Sequence, residues 1–181
     1  MTKQTSKIRD MVYIALFAVL IAVCSWISIP ATVPFTMQTF GVFLTVSLLG
    51  GRRGTLAVVV YLLLGAVGAP VFAGFGGGVG TLLGTTGGYL LGFLFTALVM
   101  WAFEKVPGKH LWVLIASMVV GLILCYAFGT AWFVRVYAQK SGPVGVATAL
   151  SWCVFPYIVP DLAKMALAVA VGGRLKRAVK L

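Results

Sequence analysis

Phe155-Pro156-Tyr157-Ile158-Val159-Pro160-Asp161-Leu162-Ala163-Lys164-Met165-Ala166-Leu167-Ala168-Val169-Ala170-Val171 reads as a membrane-crossing helix with one carboxylate and one ammonium set into it. The chain holds three acids in all, Asp10, Glu104 and Asp161. The first two stand at the edges of apolar segments, so Asp161 is the one carboxylate expected at membrane depth. Lys164 follows at i+3, which puts both charges on the same helix face. A charge in lipid costs at least ~2.5 kcal/mol, so such residues usually face a cavity and work there. The plainer reading is a buried ion pair that only fixes helix packing. Function is the better supported of the two.

Composition agrees with a membrane setting. The 181 residues are 61% hydrophobic and 9% charged, with a mean hydropathy of +1.09, outside the balance of a soluble domain. The formal charge of +11 does not mark a nucleic-acid surface, because the basic residues fall in short groups between apolar runs. Cys24, Cys125 and Cys153 are isolated within such runs, and His110 is the single histidine. No metal site is expected, and no cofactor.

Outward from that stretch, the chain divides into one all-α domain over 1–181 with six expected spans: 11–29, 37–49, 55–67, 82–103, 111–133 and 156–173. The second and third are short for a bilayer. Pro156 suits a first helical turn and starts the last span, leaving Val144 to Phe155 as a separate short element. With the N-terminus inside, Lys3, Lys7, Arg9, Arg52, Arg53, Lys105, Lys109, Arg174, Lys176, Arg177 and Lys180 are cytoplasmic, against Arg135 and Lys140 outside. That bias places both termini in the cytoplasm, in the cell membrane, and opens the Asp161–Lys164 cavity outward.

Two external segments face the same side. Segment 68–81 is uncharged and rich in glycine, whose freedom permits tight turns and close backbone approach to a ligand. Phe72 and Phe75 suit a lid better than a loop left in water, with Gly76, Gly77 and Gly78 supplying backbone amides. No phosphate-binding pattern can be read from it. Residues 30–39 are held extended by two prolines and offer Thr36, Gln38 and Thr39, with helix capping the plainer reading for the threonines. Gly84, Gly88 and Gly92 read as a close-packing stripe, and Tyr89 within it presents a phenol. Ala15, Ala18 and Ala22 form a small-residue face on the first helix; spacing alone does not say whether its partner is internal or another protein.

An acid, an amine, a phenol, backbone amides and Gln38 between apolar walls describe a binding site for a small, partly apolar molecule. A nucleophile with an adjacent base is missing, as is any nucleotide motif, so the chain reads as a binder and not an enzyme.

Four motifs carry a resemblance: Val33-Pro34-Phe35-Thr36-Met37-Gln38-Thr39, Gly68-Ala69-Pro70-Val71-Phe72-Ala73-Gly74, Gly84-Thr85-Thr86-Gly87-Gly88-Tyr89-Leu90-Leu91-Gly92-Phe93 and Pro160-Asp161-Leu162-Ala163-Lys164. In this order they resemble the BioY family, the biotin-specific substrate-binding subunits (S components) of energy-coupling factor transporters. Thr85 departs from the family's Gly-Pro-Thr-Gly-Gly pattern at that point. The resemblance implies a six-helix subunit that captures biotin from outside. It also implies docking on a transmembrane coupling protein driven by two cytoplasmic ATPases, with ATP used by those partners alone, and homo-oligomers where partners are lacking. It maps the helix 6 Asp and Lys of the family onto Asp161 and Lys164, and its docking face onto Ala18 and Ala22, with Ala15 beside them. Asp161 then suits the ureido N–H groups. Lys164 either orients Asp161 or meets a ligand oxygen, while Phe72, Phe75 and Tyr89 pack on the ring or chain and Gly76 to Gly78 close over it. Two other classes stand beside this one: a proton-coupled carrier in which Asp161 titrates, and a small membrane enzyme.

Overall fold

The computed structural model describes residues 3–106 and 111–178; Lys109, His110, Lys180 and the side chain of Lys3 lie outside the described residues. The chain is mostly helical. Its principal helices are α1 (Lys3–Trp26), α2 (Gln38–Leu49), α3 (Gly51–Ala66), α5 (Gly87–Phe103), α6 (Leu111–Ser141) and α8 (Phe155–Ala178). Two short helices, α4 (Val79–Leu82) and α7 (Val146–Cys153), lie between them. Lys7–Trp26, Leu111–Ser141 and Phe155–Arg177 are long and apolar enough to cross a membrane, while Gln38–Leu49 and Gly87–Phe103 are apolar but shorter.

The helices extend past the apolar runs that mark them in the sequence. α1 begins at Lys3 and not at Met11, and Asp10 on its polar first half pairs with Arg53 of α3 at 3.0 Å. α3 begins at Gly51 and not at Thr55; its first amide donates to the Glu104 carboxylate at 2.7 Å, satisfying one of the N–H groups a helix start leaves unpaired. α6 continues beyond Phe133 to Ser141, through Arg135 and Lys140. Hydropathy registers the lipid-facing part of a helix and is blind to polar turns that continue it.

The segment expected as one helix over 82–103 is two. α4 stops at Leu82, a turn follows, and α5 starts at Gly87. Gly84 therefore lies in the turn, where its carbonyl accepts from the Trp132 indole at 2.9 Å. Gly88 and Gly92 do form a packing stripe. A Cβ on Gly88 would sit 2.3 Å from Trp132 Cβ, and one on Gly92 2.6 Å from Cys125 Sγ, so only glycine lets α5 and α6 approach this closely. These two helices form the most intimate pair in the bundle, while α8 leans chiefly on α2 and touches α6 sparsely.

The linker from α1 to α2 is a small antiparallel hairpin, β1 (Ser28–Ile29) against β2 (Phe35–Thr36). The Tyr157 hydroxyl of α8 donates to the Val33 carbonyl in its turn. The starts of α3 and α6 and the ends of α2, α5 and α8 surround a cavity at one end of the bundle. The hairpin and segment 68–86 gather at the other, around the site described next.

Candidate functional site

α8 enters with Phe155 and Pro156 in its first turn and keeps its course through Pro160, which gives no N–H to the carbonyl one turn back. Directly after it Asp161, and one turn on Lys164, face the protein interior at 4% and 5% exposure. Lys164 Nζ donates to Asp161 Oδ1 at 2.7 Å. Removing two charges from water is costly, and such a pair persists only when further hydrogen bonds complete it. Here α2 and α6 supply them. Thr39 Oγ1 donates to Asp161 Oδ1 at 2.9 Å, and the Tyr126 hydroxyl donates to Oδ2 at 2.5 Å. The Lys164 ammonium also lies 3.4 Å from Thr39 Oγ1 and 4.1 Å from the centre of the Phe35 ring, a cation–π placement. Lys164 is thus bonded to Asp161, the arrangement that an orienting role requires.

The cavity around this pair, about 110 Å³, is walled by Phe72, Tyr89, Phe93 and Tyr157 and edged by Thr36, Gln38, Thr81 and Thr86. The cavity at the opposite end is larger, about 590 Å³. Its Arg53 and Glu104 are occupied by Asp10 and the Gly51 amide, so chemistry and not size selects the site. Gln38 lines the smaller cavity with both ends of its amide engaged: it accepts from Thr36 Oγ1 at 2.9 Å and donates to Tyr61 Oη at 2.5 Å. Thr36 Oγ1 also accepts from the Gln38 backbone amide at 3.2 Å, the first amide of α2, whose N-cap position is Met37 without a side-chain bond of its own; Thr39 turns to Asp161 instead. The Tyr89 hydroxyl shares a hydrogen bond with Thr130 at 3.0 Å, so its ring, more than its phenol, faces the cavity.

The glycine-rich segment differs from its expected role. Phe72 is buried, packs edge-on against Tyr61 at 5.5 Å and, with Ala73 and Thr81, lines the cavity. Phe75, Gly76, Gly77 and Gly78 do not. Gly74 (φ 64) and Phe75 (φ 59) both take left-handed backbone, which turns the Phe75 ring outward. It is 64% exposed and rests on Trp26 at 5.3 Å. The Phe72 amide donates to the Gly76 carbonyl at 2.9 Å and the Gly78 amide to the Gly65 carbonyl at 2.7 Å, so these groups close the segment on itself and on α3. α1 holds it further: Ser25 Oγ donates to the Val71 carbonyl at 2.5 Å and the Trp26 indole to the Pro70 carbonyl at 2.8 Å.

The small-residue face of α1 also needs correction. Ala18 and Ala22 are buried in the core of this chain, on the side of Ile21 and Ser25, and Ala15 alone of the three is exposed. The partner of Ala18 and Ala22 is internal.

Sequence reasoning passed over Tyr126, the ring of Phe35, and Tyr157. A hydroxyl-bearing ring inside an apolar run was the available signal for Tyr126, since a buried tyrosine tip needs a polar partner.

A helical membrane protein that sets a hydrogen-bonded carboxylate into an aromatic cavity belongs to the class of small-molecule binders and carriers. The BioY family model matches residues 1–181, and the chain belongs to that family. A protein of Thermotoga maritima named biotin transporter BioY is 42% identical over 170 residues, covering 93% of this chain and 96% of that one. A probable biotin transporter BioY of Pyrococcus horikoshii is 37% identical over 171 residues, covering 94% and 98%. Among solved structures, the S-component for biotin from an ECF-type ABC transporter superposes with a TM-score of 0.83 at 28% identity, covering 98% of this chain and 95% of that one. These relatives are transport proteins and not enzymes, and the chain is a multi-pass membrane protein of their family.

Proposed function

We propose that this chain captures biotin and serves as the S component of an energy-coupling factor transporter. The observation that carries the reading is the Asp161 carboxylate, held by Lys164, Thr39 and Tyr126 inside an aromatic cavity, in a chain whose relatives are named biotin transporters. Asp161 accepts a ureido N–H, Lys164 orients Asp161, and Phe72, Tyr89, Phe93 and Tyr157 pack on the bicyclic ring and chain. Gln38 and Thr36 border the same space.

Six helices span the cytoplasmic membrane in this reading: α1, α2, α3, α5, α6 and α8. α2 has 12 residues and is ~18 Å long at 1.5 Å per residue, so its flanking hairpin completes the crossing. The basic groups at one end of the bundle put both termini in the cytoplasm, and the cavity opens to the outside. The chain binds no cofactor of its own. A transmembrane coupling protein docks along the outer face of α1 that includes Ala15, and two cytoplasmic ATPases drive the cycle in which the loaded subunit reorients. Without these partners the chain self-associates.

Equilibrium binding of labelled biotin to the purified protein in detergent tests the reading, with other vitamins as competitors. Saturable binding displaced by biotin alone, without ATP, is expected. A monodisperse sample that binds no biotin would overturn it.

A further inference from the structure

Asp161 is a buried carboxylate whose hydrogen bonds can be counted. A carboxylate offers about four acceptor positions. Oδ1 accepts from Lys164 and Thr39, while Oδ2 accepts from Tyr126. The ammonium of Lys164 is already turned to Asp161, Thr39 and the face of Phe35. The donor closest to the open side of the carboxylate is therefore the Tyr126 hydroxyl. It comes from α6, a helix that otherwise meets α8 sparsely, and it reaches across the cavity it lines. A phenol swings its O–H about the C–O bond at little cost, and its oxygen accepts as well as donates.

A cyclic urea presents an N–H and a C=O side by side on one edge. If the N–H goes to a carboxylate, the neighbouring carbonyl oxygen needs a donor, because a buried oxygen left unpaired forfeits about 1–3 kcal/mol. Asp161 and Tyr126 form such an acceptor and donor on adjacent sites.

We infer that Tyr126 reads the ureido carbonyl of the ligand. Its O–H, directed at Asp161 Oδ2 in this structure, passes to the ureido oxygen as the ligand N–H takes the carboxylate. Every polar atom of the exchange stays partnered: the carboxylate trades one donor for another, and the carbonyl gains one. Tyr126 thereby sets specificity for an oxygen at that position, whereas Asp161 recognises any N–H donor. This inference rests on the reading of the site as a biotin site.

The test compares biotin with 2-thiobiotin on wild type and Tyr126→Phe. The thio compound keeps a neutral ring and the N–H groups for Asp161 but puts sulfur, a weak acceptor, where biotin has its ureido oxygen. Tyr126→Phe is expected to weaken biotin about tenfold and 2-thiobiotin by less than about threefold, so that the preference for biotin shrinks. An equal loss for both ligands would mean that Tyr126 only shapes the cavity, and would overturn the inference while leaving biotin capture intact. Wild type that binds no biotin at all would overturn both. Should the variant not yield monodisperse protein, infrared spectra of wild type with ¹³C-ureido biotin decide. A carbonyl stretch lowered by hydrogen bonding is expected, and one at the position of an unbonded urea would refute the assignment.

Discussion

Replacing Asp161 by Asn removes one charge and little else, and the structure lets its two consequences be separated. The first falls on the ligand. A hydrogen bond from a ureido N–H to a carboxylate contributes about 1.5–3 kcal/mol, against about 0.5–1.5 kcal/mol to a neutral acceptor. The Asn amide must also turn an N–H toward one of Lys164, Thr39 or Tyr126, all of which donate to the native carboxylate. Biotin affinity should fall by more than about tenfold. The second falls on the fold. Lys164 is 5% exposed and would lose its counter-charge, a loss that costs about 3–5 kcal/mol when one partner of a buried pair is removed. Binding isotherms report the first consequence, and thermal unfolding in the same detergent without ligand reports the second. Adding Lys164→Met to Asp161→Asn should restore much of the melting temperature, because the orphaned ammonium is gone, while affinity stays low. Unchanged affinity in Asp161→Asn would refute the role of Asp161 in binding. Equal recovery of stability and affinity in the double variant would show that Asp161 only serves Lys164.

Other perturbations follow from particular contacts. Phe75→Ala should leave biotin affinity within about twofold of wild type, since an exposed side chain off the cavity wall contributes little; Phe72→Ala, which empties part of that wall, should cost about 3–5 kcal/mol of stability and a large share of the affinity. In thermal unfolding, Gly88→Ala should lower the melting temperature by several degrees, because its methyl group meets Trp132 at 2.3 Å and overpacking of this kind costs about 1–3 kcal/mol. Ala18→Leu should destabilise the isolated chain by a similar amount. Ala15→Leu should leave its melting temperature unchanged and weaken co-purification with a coupling protein; the opposite pattern would reverse the assignment of the two faces of α1.

The charged pair was legible because it breaks a rule: an acid and an amine three residues apart in an apolar run have few reasons to be there. The helices were legible for the same reason that their ends were not. Hydropathy follows contact with lipid, so it misses the polar start of α1 and the charged end of α6. Ala18 and Ala22 show a different limit, since a small-residue stripe fits a neighbouring helix of the same chain as well as a foreign one. The glycine-rich segment misled through Phe75, because a left-handed backbone at a phenylalanine is a tertiary outcome with no local signature. Tyr126 is the largest gap. A tyrosine among Leu122, Ile123, Leu124 and Cys125 looks like one more apolar ring, and only the fold brings Asp161 across from a helix far along the chain.

The closeness of Lys164 to Asp161, 2.7 Å between opposite charges, has an electrical consequence. Displacing a lone charge through the membrane field takes about 2.3 kcal/mol per 100 mV, but a paired acid and amine travel as a neutral unit. In the cycle proposed above, the binding apparatus therefore adds nothing to the voltage dependence of reorientation. What the field acts on is the cargo: biotin carries a carboxylate, and a cell interior held negative opposes its entry. Uptake by the assembled transporter should slow on hyperpolarisation by the amount one negative charge dictates, and the methyl ester of biotin should be carried at a rate indifferent to potential.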